Sequence, residues 1–518
     1  MTERCDVAIV GYGPTGQVLA ILLAQRGWRV TVLERWPTAY PMPRAVHFDH
    51  EVGRIFQAAG VSAEVRAISE PCTTYEWRNA AGERLVEFRM NPVDGPAGWP
   101  ESNLLHQPDL ERVLDRRARS FRGVSVRRGF EVYEIEPGGQ GVHVRARDAS
   151  GALRDVEARY AIGCDGANSF VRRWMRAPIE DLNLSFDWLI VDVIARSSRR
   201  WENWQLCDPA RPTTIISGGP GRRRFEFMRL PHETIESLND SRMAWELLAR
   251  WGLYESNTIL ERHTVYRFRA RWAETWRSGH VLLAGDAAHE LPPFTSQGIG
   301  AGVRDAATLA WKLDLVLLGR APDELLDTYE RERLHHVRLF IDLSVSLGHL
   351  ISVTNPEEAA ARDAAMIALS RASERAPMPS PPVIGPGTLL EGDRHAGEPF
   401  PQAHVRMRTA TRRFEGLFDD VVGRGWVLLG ADEDPGLALA PEQRAFFASL
   451  GGISARVGPG APLVDLDGRY QRFFERAGVR IVLVRPDFLV FGTAKGPEDA
   501  NALIGALARQ LTSPSPAD

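Results

Sequence analysis

The stretch DVAIVGYGPTGQVLAILLAQRGWRVTVLE, Asp6 to Glu34, decides the fold. Asp6–Val10 is a short apolar run that reads as a buried strand, Gln17–Gln25 is helical, Gly27 is a helix stop, and Arg29–Glu34 alternates with β-branched residues as a second strand does. Between the first strand and the helix stands Gly11-Tyr-Gly13-Pro14-Thr15-Gly16. A lone GxGxxG is a weak signal. Here it follows a strand, opens a helix, and leads to a strand ending on an acid, which is the full dinucleotide fingerprint. Gly11 makes the turn, Gly13 lets backbone N–H groups reach a pyrophosphate, and Gly16 lets the helix settle on the strand. Glu34 is placed for the ribose hydroxyls, with Arg35 beside it.

Two further stretches repeat the strand-to-turn pattern. Cys164-Asp165-Gly166-Ala-Asn-Ser169 ends one strand and begins a helix. VLLAGDAAHELPPFTSQGIGAG, Val281 to Gly302, is an apolar strand ending on Gly285-Asp286, followed by His289, two prolines and a glycine-rich helix start. Glycines at a helix start admit close approach, and free N–H groups there favour an electron-rich partner. An acid such as Asp286 can hold sugar hydroxyls; it can equally cap a turn.

The rest of the chain sets the frame. Its 518 residues are too many for one domain, and 44% hydrophobic with 25% charged residues is ordinary globular composition. A net charge of −4, with arginines scattered among acids, gives no footprint for nucleic acid. Cys5, Cys72, Cys164 and Cys207 are far apart and fit a reducing, cytoplasmic setting without disulfide or zinc spacing, so no metal is expected. No apolar run is long enough to span a membrane, and the N-terminus enters its first strand too soon for a signal peptide. The pattern divides as 1–175, a β-rich insert at 176–270, a helical return at 271–380, and a small α/β unit at 381–518 beyond a Pro-rich linker, APMPSPPVIGPG. GGQG (138–141) and GGPG (218–221) follow no fingerprint and read as hairpin turns.

GYGPTG, CDGANSFVR and LLAGDAAHELPP, in this order and spacing, resemble the group A flavoprotein monooxygenases, the single-component FAD-dependent aromatic hydroxylases. CDPARP (207–212), RRFEFM (223–228), LDTYERER (326–333) and VRPDFLVFGTA (484–494) look most like the 3-(3-hydroxyphenyl)propionate hydroxylase type. The resemblance implies an α/β architecture: a Rossmann-like FAD-binding domain, an inserted β-sheet substrate domain and a thioredoxin-like C-terminal domain. It implies FAD as cofactor and NAD(P)H as a transient co-substrate without a fold of its own. It implies oxygen transfer from a flavin C4a-hydroperoxide to a small aromatic substrate, with O2 consumed. Asp286 then bonds the ribityl chain, the helix start at Gln297, Gly298 and Ile299 faces the flavin ring, and Arg44, Gln107 and Asp165 add FAD contacts. At the flavin edge the family has a glycine where this chain has Ser296, and a polar or small side chain where it has Gly300. With no cysteine after Cys207, the C-terminal unit has no thiol chemistry and is expected to pack against the rest or to join a homodimer.

The chemistry requires a dry pocket and a group that draws the phenol proton. Trp188, Phe225, Phe227, Pro293 and Phe294 are candidate walls, though such residues also build ordinary cores. His47 and Asp49, in RAVHFDHE just after Arg44, are candidate bases; the bland readings are a satisfied histidine and a helix cap. His289 reads as structural. The same fold also serves Baeyer–Villiger oxidation or epoxidation of polyketide-like substrates. Halogenation is weaker because WxWxIP is absent. A non-catalytic flavin-bound module is the reading from another class.

Overall fold

The computed structural model describes residues 2–196, 202–372, 383–408 and 412–512. Its central sheet has six strands in the order Arg277–Ser278, Val281–Leu283, Tyr160–Gly163, Val7–Val10, Val30–Glu34, Val124–Arg128. The middle strands are parallel, and Val7–Val10 and Tyr160–Gly163 are buried at every residue. Continuous apolar runs are what a parallel sheet covered on both faces demands. Helices Pro14–Gln25 and Gly298–Leu317 pack together over it. A Cβ on Gly302 would lie 2.3 Å from Thr15 Oγ1, which is how tightly they meet.

This topology gathers what the chain separates. Val10, Gly163 and Leu283 end three adjacent parallel strands in register, and the three glycine motifs follow them directly. They therefore share one carboxyl edge, where ligands of open α/β sheets bind.

A second, seven-stranded sheet has the order Thr258–Phe268, Phe186–Ala195, Arg223–Met228, Thr213–Ser217, Trp204–Leu206, Thr74–Arg78, Arg84–Arg89. Its last two strands come from 74–89, so the insert at 176–270 is not the whole sheet. Non-local strand pairing leaves no local sequence mark. GGQG and GGPG do turn hairpins, between Glu131–Gly138 and Gly141–Arg147 and between Thr213–Ser217 and Arg223–Met228.

The C-terminal sheet has strands Val427–Gly430, Ile453–Arg456, Ile481–Val484 and Val490–Ala494. The first two are parallel, the third lies antiparallel on the other side of the first, and the fourth is antiparallel to the third. Helices Pro441–Ser449, Arg469–Ala477 and Ala500–Thr512 follow the first, second and fourth strands. The C-terminal unit packs against the rest of the chain. Residues 373–382, most of the Pro-rich stretch, lie outside the described residues, but the unit itself is locked down. Trp426 packs edge-on to Trp311 at 5.5 Å. A fully buried network joins Lys312 to Glu332 (2.9 Å), Glu332 to Arg485 (2.7 Å) and Arg485 to Asp487 (2.7 Å) across the boundary. Such charges are tolerated only when every member is paired. Among the described residues, no single helix is long and apolar enough to cross a membrane.

Candidate active site

The glycines of the first motif differ in what they permit. Gly11 has φ +99°, and a Cβ there would lie 2.4 Å from the Cys164 carbonyl oxygen. A Cβ on Gly16 would lie 2.4 Å from the Gly11 carbonyl. Both are packing glycines. Gly13 has φ −76°, and a Cβ would meet nothing within 4 Å. Open space thus begins at Gly13, where helix Pro14–Gln25 starts with no side-chain cap and no acid in its first turn. Its positive end is free for an anion. Glu34 spans the mouth of the turn, accepting from Tyr12 N–H and Trp36 N–H at 2.8 Å each. Arg35 lies over the Trp36 ring at 5.1 Å. Arg44 lies over Tyr40 at 4.9 Å, is exposed, and joins no ion pair among the described residues.

Across the cleft, a single helical turn, Gly285–Ala287, presents Asp286. Asp286 is open to solvent, yet desolvation pushes its carboxyl above the usual range, with the Asp305 charge adding and His289 and Arg44 opposing. Solvent access within crowded surroundings is the signature of a cleft wall. Asp305, which sequence reading missed, holds this turn. It accepts from Gly285 N–H at 2.9 Å, His289 Nε2 at 2.6 Å and Arg333 Nε at 2.8 Å. Burial alone would raise its carboxyl, but His289 and Arg333 hold it at about 2. His289 is buried here, as a structural residue is.

The third motif ends in a second free helix start. Ser296 has φ +55°, the left-handed backbone that glycine adopts most cheaply. Helix Gly298–Leu317 then begins with no side-chain cap and no acid in its first turn, and a Cβ on Gly298 would meet nothing within 4 Å. Ile299 packs on the core.

Several of the candidate side chains are engaged by other parts of the protein. Asp49 caps helix His50–Ala59 through Val52 N–H (3.0 Å) and also accepts from Arg304 Nη2 (2.6 Å) and Gln297 Nε2 (3.0 Å). Burial opposes its charge, but Arg304 and His50 hold the carboxyl far below the usual range. The Gln297 side chain is spent on Asp49 and Arg304, leaving only its backbone for a ligand. Gln107 accepts from Ala45 N–H and donates to Glu111, each at 2.7 Å, so it fixes the Arg44 loop from behind. Asp165 turns onto its own helix, accepting from Phe170 N–H at 2.6 Å and Val171 N–H at 3.2 Å. His47 contacts Ser296 O at 3.3 Å through Nδ1 and Ser102 Oγ at 3.0 Å through Nε2. Nδ1–H must donate to the carbonyl, which leaves Nε2 to accept from the hydroxyl. Burial pushes His47 down, toward the neutral ring. Both ring nitrogens are occupied.

The aromatic walls divide by strand parity. The register sets Leu189 opposite Phe227 and Val191 opposite Phe225, so these four point together. They build a core with Leu238, Leu247 and Leu248 on the sheet's outer face. Phe225 and Phe227 stack on each other at 6.1 Å and are not pocket walls. Trp188 points the other way, 6.0 Å from Phe294, with Pro293 opening that same turn. Glu226, unnoticed in the sequence, shares the inward face. The signal was present: RRFEFM alternates charge with phenylalanine, and period two separates them onto opposite faces.

The chain matches the family model described as FAD binding domain over residues 4–344, and HcaD C-terminal domain over 397–510. It is 38% identical to a probable NADH-specific resorcinol 4-hydroxylase of Rhodococcus jostii, covering 99% of this chain and 95% of that one. The chain belongs to the FAD-dependent aromatic hydroxylases. A second relative of this hydroxylase is the 3-(3-hydroxy-phenyl)propionate/3-hydroxycinnamic acid hydroxylase of Comamonas testosteroni, at 31% identity over 99% of this chain and 98% of that one. Its fold matches the flavin-dependent monooxygenase PieE in complex with FAD and substrate (TM-score 0.81, 22% identity, 98% and 99% covered). It also matches aklavinone-11 hydroxylase in complex with FAD and aklavinone (TM-score 0.79, 27% identity, 99% and 100% covered). FAD is the hydroxylase's cofactor, and the cleft fits it. Two uncapped helix starts, the open faces of Gly13 and Gly298, an unpaired arginine and an open acid are the donors and acceptors a dinucleotide needs.

Proposed function

We propose that the hydroxylase places oxygen on the ring of a phenol, using NADH and O2. The observation that carries this is the pair of uncapped, glycine-opened helix starts that pack together beside the carboxyl edge of the parallel sheet, with Gly302 against both Thr15 and Gly285. The names of both relatives, hydroxylases of a dihydroxybenzene and of hydroxyphenyl acids, support a phenolic substrate, and the first supports NADH.

Bound FAD supplies the hydride acceptor and the means of activating O2. The protein's part is binding, shielding and proton handling. Gly13, Pro14 and Thr15 would offer the pyrophosphate a helix N-terminus, with Gly16 packed behind them, Glu34 would hold the adenosine ribose, and Asp286 and Arg44 would hold the ribityl chain. The backbone N–H groups at the Gln297–Gly298 helix start would hold the flavin ring and favour negative charge on it. Trp188, Phe268, Phe294 and Phe186 interlock at ring separations of 5.7–6.2 Å and keep water from the ring. His47, both nitrogens engaged, holds the Ser296 turn rather than the substrate.

The C-terminal strand order supports a thioredoxin-like reading, in which the missing cysteines leave packing as its task. Four free cysteines, three of them buried, support a cytoplasmic setting. No observation favours Baeyer–Villiger oxidation, epoxidation or a non-catalytic module. The test is a panel of neutral and acidic phenols scored by stimulated NADH and NADPH oxidation in air with product mass. Oxidation that no phenol stimulates, with no product 16 mass units heavier (roughly one oxygen atom), would overturn the proposal.

A further inference from the structure

The inward face of the seven-stranded sheet carries a carboxylate that the protein leaves incomplete. Glu226 stands at its centre, opposite Thr214 on one neighbouring strand and Ile190 on the other. Asp192, one row away, is fully used. It accepts from Arg224 Nε at 2.7 Å and Nη2 at 3.1 Å. Arg224 in turn donates to the carbonyl oxygens of Arg44 (2.6 Å) and Pro43 (3.0 Å). Glu226 comes only within 3.9 Å of Arg224, and among the described residues it accepts no hydrogen bond, although its side chain is just 13% exposed. The Thr214 hydroxyl turns away to Gln205 at 2.7 Å. A carboxylate so enclosed is unfavourable unless a donor completes it.

Its place shows where that donor comes from. Arg224, two residues earlier on the same face, grips the loop that carries Arg44. Trp188, on the adjoining strand of the same face, touches Phe294, three residues before Gln297 opens the free helix start. Glu226 therefore shares its sheet face with one residue that grips the Arg44 loop and another that touches the turn before Gln297. Desolvation, with Asp192 adding and Arg224 opposing, pushes its carboxyl up to about 7. Such a group can take and release a proton near neutrality.

We propose that Glu226 binds the ring hydroxyl of the substrate, takes its proton during hydroxylation, and by its charge makes the site select uncharged phenols over aryl carboxylates. This rests on the phenol-hydroxylating reading above. The substrate O–H bond breaks, an O–H bond forms on Glu226, and the electron pair left on oxygen spreads into the ring, enriching its ortho and para carbons. Glu226 gives the proton to water before the next substrate binds.

Two arms test this on the holoenzyme. The first is equilibrium dialysis of 1,3-dihydroxybenzene and of 3-(3-hydroxyphenyl)propionate against wild type and Glu226→Gln. Loss of the charge should weaken the neutral phenol about fivefold to tenfold and tighten the acid. Unchanged affinities for both overturn the proposal whether or not turnover is seen. The second arm is the pH profile of wild-type hydroxylation. The ionised form is the active one, so the rate rises with pH through about 7. The charged and titratable groups around it are Arg224, Asp192 and Arg262, with Tyr75 and Tyr266 on the same face and Arg44 on the facing loop. Glu226→Gln should lower the hydroxylation rate about 10²–10⁴-fold, lose that limb and send more NADH to hydrogen peroxide. A wild-type profile flat between pH 6 and 8 (roughly one unit either side of the expected midpoint) overturns the proposal even if the variant does not fold. If wild type hydroxylates no phenol while the binding arm behaves as expected, it is the reaction reading that fails.

Discussion

The cofactor cleft and the inward sheet face meet at the same loops but are built by opposite means. The cleft is made of backbone: two helix starts without caps, and glycines whose missing Cβ atoms leave room or allow contact. The sheet face is made of side chains whose direction follows from strand register alone. A backbone site tolerates change at most side chains but not at its glycines. A side-chain site inverts with a single step along the strand. Residues 225 and 226 show this: one belongs to an oily core, the next to the opposite, charged face of the sheet.

The largest effect expected is on the core side. Phe225→Ala should destabilise the fold by about 3–5 kcal/mol, read as a shift in the denaturant midpoint, while the ratio of product to NADH in folded enzyme stays as in wild type. A fall in that ratio at unchanged stability would mean that Phe225 lines the pocket after all.

Next come the paired glycines. Gly11→Ala combines a positive φ with a clash against the Cys164 carbonyl, and should cost about 2–4 kcal/mol in the protein without FAD. Gly13→Ala meets nothing within 4 Å, so its stability should stay within about 0.5 kcal/mol of wild type while FAD affinity drops. Equal stability loss for both would erase the distinction between a packing glycine and a ligand-facing one.

Asp286→Ala sharpens the cleft side. Removing a charged acceptor should weaken FAD by about 1.5–3 kcal/mol, measured by titrating the protein into FAD and following flavin fluorescence. Affinity equal to wild type would place the ribityl chain elsewhere.

The smallest effect is at Ser296. Glycine there relieves a left-handed backbone but frees the unfolded chain, so Ser296→Gly should raise stability by no more than about 1 kcal/mol. A clear loss would show that the serine side chain, and not backbone relief, matters at that turn.

The sequence by itself determined the dinucleotide fold, the family, and the position of each glycine motif. Turns at Gly11 and Gly285, at φ +99° and +64°, impose backbone demands that few residues meet, and those demands are local, so they appear in the letters. Glu34, Asp286 and the two helix starts were legible for the same reason. Only the tertiary structure decided which polar side chains remain free. Asp49, Gln107, Gln297 and Asp165 have the right chemistry for a site, but each is taken by a partner, and for the first three that partner lies elsewhere in the fold. Asp305, two turns into the helix that the third motif opens, and Arg333, on the next long helix, support the site through contacts that the motifs do not specify. The division between Phe225 and Glu226 required knowing which face of the sheet meets the cleft, and that is settled by strands drawn from 74–89 as well as 186–268. Hydrogen-bond satisfaction and sheet orientation depend on distant residues, and no local pattern encodes them.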